Sequence, residues 1–153
     1  MEEVKRILIV DDDKAILQSL EAILKMKGYE VETADTGREA IEKSRKKFYN
    51  LAILDIKLPD MEGTELLVKM HENMPRMMKI MLTGYPSLEN AVKSLNLGAD
   101  AFLMKPVNPK ELLKVVEEKL REQTEMEMLS EEKVKQWIET RLKKLKRSQS
   151  GEA

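Results

Sequence analysis

The chain has no cysteine, which excludes disulfides, thiolate metal sites and a cysteine nucleophile. It has a single histidine, His71, on a predicted helix without a partner, and a surface position suits it better than catalysis. No apolar stretch approaches the roughly 20 residues of a membrane span. The start, Met1-Glu2-Glu3-Val4-Lys5-Arg6, runs into a short apolar segment and then three acids, which is no signal peptide. Net charge is also nearly absent. A formal value of −1 argues against wholesale attraction to nucleic acid or anionic membrane. No low-complexity segment precedes Ser148, and no sequence repeat is visible. What remains is 153 residues, 42% hydrophobic and 36% charged, enough for one ordinary domain plus a short extension. A reducing, aqueous compartment is expected, which for this chain means the cytoplasm.

Short apolar runs alternate with helical patterns. Ile7–Val10 and Leu51–Leu54 are continuous apolar runs bounded by turn formers and acids, and read as buried strands. Glu30–Ala34, Met78–Leu82 and Ala101–Met104 read as three more. Between them, Ile16, Leu20, Ile23 and Leu24 recur at helical spacing until Gly28. Thr36-Gly37-Arg38-Glu39 is a capping box, and Ala40, Ile41 and Phe48 suggest the face of the helix it opens, ending near Lys47. A third helix from about Gly63 turns Leu66, Leu67 and Met70 inward. A fourth, opened by Pro86-Ser87, carries Leu88, Ala91, Val92 and Leu95 on one face and closes at Gly98. The methionines at 70, 74, 78 and 81 read as core filler. Asn108-Pro109-Lys110-Glu111 starts a fifth helix with Leu112, Leu113, Val116 and Leu120 inward. Five strand–helix alternations with short links predict an α/β fold: a flavodoxin-like, doubly wound, five-stranded parallel sheet of order 2-1-3-4-5, plus an extra C-terminal helix.

This order brings four strand ends to one crevice. Past them lie Asp11, Asp12 and Asp13, then Asp55, then Thr83-Gly84, then Lys105. At about 5 Å and an effective dielectric near 20, each like-charged carboxylate pair costs roughly 3 kcal/mol. A hard divalent cation with oxygen ligands offsets that, and Mg²⁺ suits a few carboxylates plus waters and a phosphoryl oxygen. Asp55 is then placed as an in-line nucleophile toward phosphorus. The metal and Lys105 would stabilise the equatorial oxygens, and Thr83 could donate a hydrogen bond to the transferred group. Taken singly, each residue has a plainer reading. Asp13 is better explained as a helix N-cap, Thr83 as a turn hydroxyl and Lys105 as a solvated lysine. Their joint fall on four strand ends is harder to explain that way.

Val10-Asp11-Asp12-Asp13, Leu54-Asp55-Ile56-Lys57-Leu58-Pro59-Asp60-Met61-Glu62-Gly63, Leu82-Thr83-Gly84 and Met104-Lys105-Pro106 together resemble the signature of two-component response-regulator receiver domains. The resemblance spans roughly residues 4–122, with every block in order. It implies a phosphorylation-dependent switch that takes a phosphoryl group on Asp55 from a sensor histidine kinase or phosphotransfer protein and signals by protein contact. It implies Mg²⁺ (or Mn²⁺) bound by Asp12, Asp55 and the Lys57 backbone carbonyl, with Asp11 acting mostly through water. Lys105 would contact the phosphoryl oxygens, and Thr83 would move toward them. Phe102, where many receivers carry tyrosine, would be the switch aromatic, its plainer reading being a core phenylalanine. Lys57 and Tyr85 would flank the attacking water and tune dephosphorylation, and the Lys105–Pro106 bond would be cis. No substrate-turning enzyme is expected, only a phosphoacceptor that catalyses its own phosphorylation and dephosphorylation.

The expected division is a receiver over residues 1–122, a helical extension over 123–147 and a disordered tail over 148–153. Thr124–Leu129 can simply extend the fifth helix. Ser130-Glu131-Glu132 reads as a new N-cap, followed by a stripe of Val134, Trp137, Ile138, Leu142 and Leu145. From Ser130 to Arg147 there are seven Lys/Arg against three Asp/Glu, a net of +4. A single helix is no DNA-reading domain, and no direct nucleic-acid partner is expected. Packing on the receiver or a dimer mate, docking to another protein, and a membrane or nucleic-acid surface stay open. A downstream protein target is expected, and a homodimer could form through the fourth-helix to fifth-helix face or the C-terminal helix. A phosphorelay intermediate and a degenerate receiver acting only as an interaction module remain alternatives. A haloacid-dehalogenase-type aspartyl-phosphate phosphatase would want an aspartate where Lys57 stands. A flavodoxin-like FMN carrier would want a phosphate loop where the three acids stand.

Overall fold

In the computed structural model of the chain, the described residues are 3–84 and 87–149. They form β1 (Arg6–Val10), α1 (Lys14–Met26), β2 (Glu30–Ala34), α2 (Gly37–Lys46), β3 (Leu51–Asp55), α3 (Gly63–Asn73), β4 (Met78–Thr83), α4 (Leu88–Asn96), β5 (Ala101–Met104) and α5 (Pro109–Gln149). The strands make one parallel sheet in the order β2-β1-β3-β4-β5. Val10 pairs with Leu54 across β1 and β3, Asp55 with Leu82 across β3 and β4, and Thr83 with Met104 across β4 and β5. These registers bring the carboxyl ends of β1, β3, β4 and β5 level.

The continuous apolar runs have a direct cause. The sheet is covered on both faces, so alternate residues of each strand enter different cores. Ile7, Ile9, Ile53, Ile80 and Leu82 meet Leu20 and Leu24 of α1 and Leu112 and Val116 of α5. Leu8, Val10, Leu54 and Met81 meet Ala40 of α2 and Leu66, Leu67 and Met70 of α3. Ile7 to Val10 are therefore at most 1% exposed, as no one-faced strand would be. Helix starts follow the local chemistry. Asp13 accepts from the amides of Ala15 and Ile16, and Asn108 from those of Lys110 and Glu111. Thr36 accepts from the Glu39 amide at 3.1 Å, while the Glu39 carboxylate reaches back one residue further than a standard capping box, to the Asp35 amide.

Several expectations need correction. Phe48 lies beyond α2 and is half exposed, and the buried aromatic is its neighbour Tyr49, whose hydroxyl donates to Glu32 at 2.7 Å. The buried Tyr49 ring thus has an acceptor for its hydroxyl, as a buried phenol requires. Leu88, Val92 and Leu95 form one face of α4, but that face is exposed, and the buried residue of the helix is Ser94. Ser130 caps nothing, because it lies inside α5, which runs unbroken for 41 residues. Helix-compatible residues fill 124–129, so nothing stops the helix before Ser130. The extra C-terminal helix is thus the continuation of α5, and Ser148 and Gln149, expected in the tail, are still helical. Residues 150–153 lie outside the described residues. By compactness the chain divides between Leu120 and Arg121. His71 is exposed, as expected.

Candidate functional site

Each candidate side chain sits where a strand runs out. Asp11 follows β1, Asp55 ends β3, Thr83 ends β4, and Lys105 follows β5. Asp11 and Asp55 are buried, Asp12 is exposed, and the three offer oxygens within 4.8 Å of one another. Lys105 Nζ lies 2.8 Å from Asp11 Oδ2 and 3.2 Å from Asp55 Oδ1. Three carboxylates against one ammonium leave two negative charges uncompensated, the deficit a divalent cation fills.

The electrostatics carry that deficit. Burial first, and then the charge of Asp11, push the Asp55 carboxyl above its usual range, although Lys105 and the Lys57 amide pull it back. Burial alone would lower the Lys105 ammonium, but Asp11 and Asp55 outweigh it and hold it above its ordinary value. Asp11 Oδ1 accepts from the Asp13 amide at 2.9 Å. Asp11 Oδ2 is buried and in ionic contact with Lys105, but no donor is aligned on it as a hydrogen bond. A carboxylate oxygen with a spare lone pair, facing two more carboxylates, fits a hard cation.

The loop after β3 is fixed at two points. At its base the Gly63 amide donates to the Ile56 carbonyl at 2.8 Å. A Cβ at Gly63 would overlap the Asp55 carbonyl oxygen, so the close return of the chain behind Asp55 requires glycine. At its tip Asp60 spans the first turn of α2, accepting from the amides of Gly37 and Arg38 at 2.9 Å each. Met61 covers Gly37 closely enough that a Cβ there would meet its sulfur at 2.5 Å.

The structure thus brings together Asp11, Asp12, Asp55 and Lys105. Thr83 is fully buried, and its carbonyl accepts from the Lys105 amide at 2.7 Å. Lys57 is exposed beside the pocket, and its backbone makes an isolated antiparallel β-bridge with Glu62 across the loop. Phe102 is half-buried against the α2–α3 side of the sheet. The Lys105–Pro106 bond is cis. Tyr85 lies outside the described residues. Asp13 is the N-cap of α1, the plainer reading of that residue. Sequence reasoning passed over Asp60, whose signal was an acid in a Pro-Asp-Met-Glu-Gly turn. It also passed over Lys79, a fully buried lysine in the mostly apolar strand β4.

With this geometry in hand, comparison with known proteins is specific. The family model described as "Response regulator receiver domain" matches residues 7–117. The cell cycle response regulator CtrA of Brucella ovis is 36% identical over 108 residues, 71% of this chain and 47% of that protein. The chain therefore spans about half the length of the curated relatives it matches. A CheY-like response regulator receiver domain protein from Methanospirillum hungatei JF-1 superposes with a TM-score of 0.79 at 61% identity, covering 81% of this chain and 99% of that one. The beryllofluoride-activated NtrC4 receiver domain dimer gives a TM-score of 0.76 at 38% identity, covering 78% and 99%.

Proposed function

The chain belongs to the response regulator receiver domain family, and from that premise we propose that Asp55 is its phosphoacceptor. The observation that carries this reading is the convergence of Asp11, Asp12, Asp55 and Lys105, with two negative charges left over. A carboxylate oxygen of Asp55 attacks phosphorus, and the bond from phosphorus to the donor imidazole nitrogen breaks. The electron pair stays on that nitrogen, and an acyl phosphate is left on Asp55. Lys105 neutralises charge on the phosphoryl oxygens as they form. Thr83 donates its hydroxyl to one of them, carrying its loop along, and Phe102 follows inward.

Asp12, Asp55 and the Lys57 carbonyl would hold Mg²⁺ or Mn²⁺, with Asp11 acting through water. Once bound, the ion supplies positive charge to the phosphoryl oxygens. The donor is a sensor histidine kinase or phosphotransfer protein in the cytoplasm. The signalling unit is the receiver over residues 1–122, followed by a helical extension over 123–147. Lys57 and Tyr85 set how long the phosphate lasts. The exposed Leu88, Val92 and Leu95 of α4 and Met104 of β5 offer an apolar face for a downstream protein or a second receiver.

The test is incubation with acetyl phosphate and Mg²⁺, followed by intact mass and peptide mapping. One phosphoryl group is expected on Asp55, lost on chelation and absent in Asp55→Asn. Labelling of Asp55→Asn to the same extent would overturn the assignment.

A further inference from the structure

The continuation of α5 through Ser130–Arg147 has an apolar stripe, and the charge around that stripe specifies what can cover it. Val134, Trp137, Ile138, Leu142 and Leu145 are 46–61% exposed. At about 100° per residue they occupy roughly 140° of the helix. Both borders of the stripe carry lysines, Lys133 and Lys144 along one and Lys135 and Lys146 along the other, with Glu139 just outside the second border and Glu131 in the stripe's sector one turn before Val134. Arg141 falls within the stripe, its guanidinium 5.0 Å from the centroid of the Trp137 ring.

A second copy of this helix is a poor occupant. In the antiparallel alignment that sets Val134 level with Leu145 and Trp137 level with Leu142, each border meets its own copy, so Lys133 comes beside Lys144 of the other helix and Lys135 beside Lys146. That alignment further buries Arg141 against Ile138, a desolvated charge without a counter-ion. Parallel pairing brings Arg141 beside its own copy. An anionic plane removes each conflict. Lysines on both borders can extend their ammonium groups to one headgroup layer while their stems cover the stripe. Arg141 finds phosphate, and tryptophan suits the boundary between chain and headgroup.

We propose that Ser130–Arg147 docks in the plane of an anionic lipid surface, a peripheral contact that leaves the Asp55 pocket chemistry untouched. It is local to one segment, since the chain as a whole carries only −1. The helix need not span anything, and no described helix is long and apolar enough to cross a membrane.

The experiment is flotation of the full chain with phosphatidylcholine vesicles, with and without roughly one third phosphatidylglycerol. The emission of Trp137, the sole tryptophan, is followed in parallel. Partitioning at least about tenfold stronger on the anionic vesicles is expected, with a blue shift and with loss in high salt. Ile138→Asp, and the joint change of Lys133, Lys135, Lys144 and Lys146 to Gln, should each abolish it. Both alter exposed side chains and should leave acetyl-phosphate labelling of Asp55 intact. Three results would overturn the proposal: equal partitioning on the two vesicles or none, a lysine variant that binds as the parent does, or a blue shift produced by polyglutamate and not by vesicles. A dimer in light scattering that Ile138→Asp dissolves, without vesicle binding, would also overturn it.

Discussion

Asp60 lies outside the pocket, on the loop that follows Asp55 and carries Lys57. Its two carboxylate oxygens each accept an α2 amide, Gly37 and Arg38, at 2.9 Å, so it acts as a helix cap delivered from another loop. Those hydrogen bonds hold its carboxyl below the usual carboxylate range. The tip of the β3–α3 loop is thereby tied to α2, and the same loop carries the Lys57 carbonyl. Asp60→Ala should cost about 1 kcal/mol in urea unfolding. It should also weaken Mg²⁺ affinity about tenfold, the lower end of the loss typical when groups supporting a metal ligand are removed. Unchanged affinity with reduced stability would mean that the tie serves α2 alone. The pocket residues themselves were legible in the chain because each stands directly after an apolar run. Asp60 was not, because a carboxylate in a turn satisfies its own loop as often as a distant helix, and only the fold decides which.

Among the elements, β4 carries a fully buried charge within the sheet. Lys79 is fully buried in it, donating from Nζ to the Met74 carbonyl at the end of α3 at 2.8 Å, while its amide donates to Asp100. Burial holds the Lys79 ammonium below its ordinary value of 10.5, and the charge of Asp100 opposes this only in part. The folded protein therefore releases this proton at lower pH than the unfolded chain. Between the two values the unfolded chain binds more protons, so stability rises with pH across that window. Lys79→Met should lack this rise and be equally or more stable at neutral pH, since the cost of the buried charge goes with it. Tyr29 and Tyr49, whose hydroxyls burial pushes up, titrate in both proteins, so the difference between the two stability curves from pH 7 to 10 isolates Lys79. Parallel curves would refute the assignment. Strands and their order followed from apolar runs buried on both faces, and β4 was found despite Lys79 because its other residues outvote one charge. The orientation of α4 was not readable. Leu88, Val92 and Leu95 have the spacing of an inward face, and periodicity marks a face without saying what it meets.

For the molecule as a whole, charge is segregated more than the net of −1 suggests. Ser130–Arg147 carries +4, so the remainder carries −5. The same division separates the buried apolar residues, the last of which among the described residues is Leu120, from a segment whose large apolar side chains are all exposed. Composition could not show this, because it averages over both parts. Nor could the caps, because Ser130 followed by two acids has the pattern of an N-cap although the helix already runs through it. The consequence concerns stability. A helix of this length gains little from its own hydrogen bonds unless an apolar face is covered, so residues beyond Gln123 add almost nothing to the receiver core. Truncation after Gln123, which keeps Leu120 and the buried Gln123 in place, should leave a cooperatively unfolding protein whose Tm lies within about 4 °C of the full chain. Its rate of acetyl-phosphate labelling at Asp55 should equal that of the full chain. A fall in Tm beyond about 8 °C by calorimetry at matched concentration would show that the extension is part of what holds the receiver together.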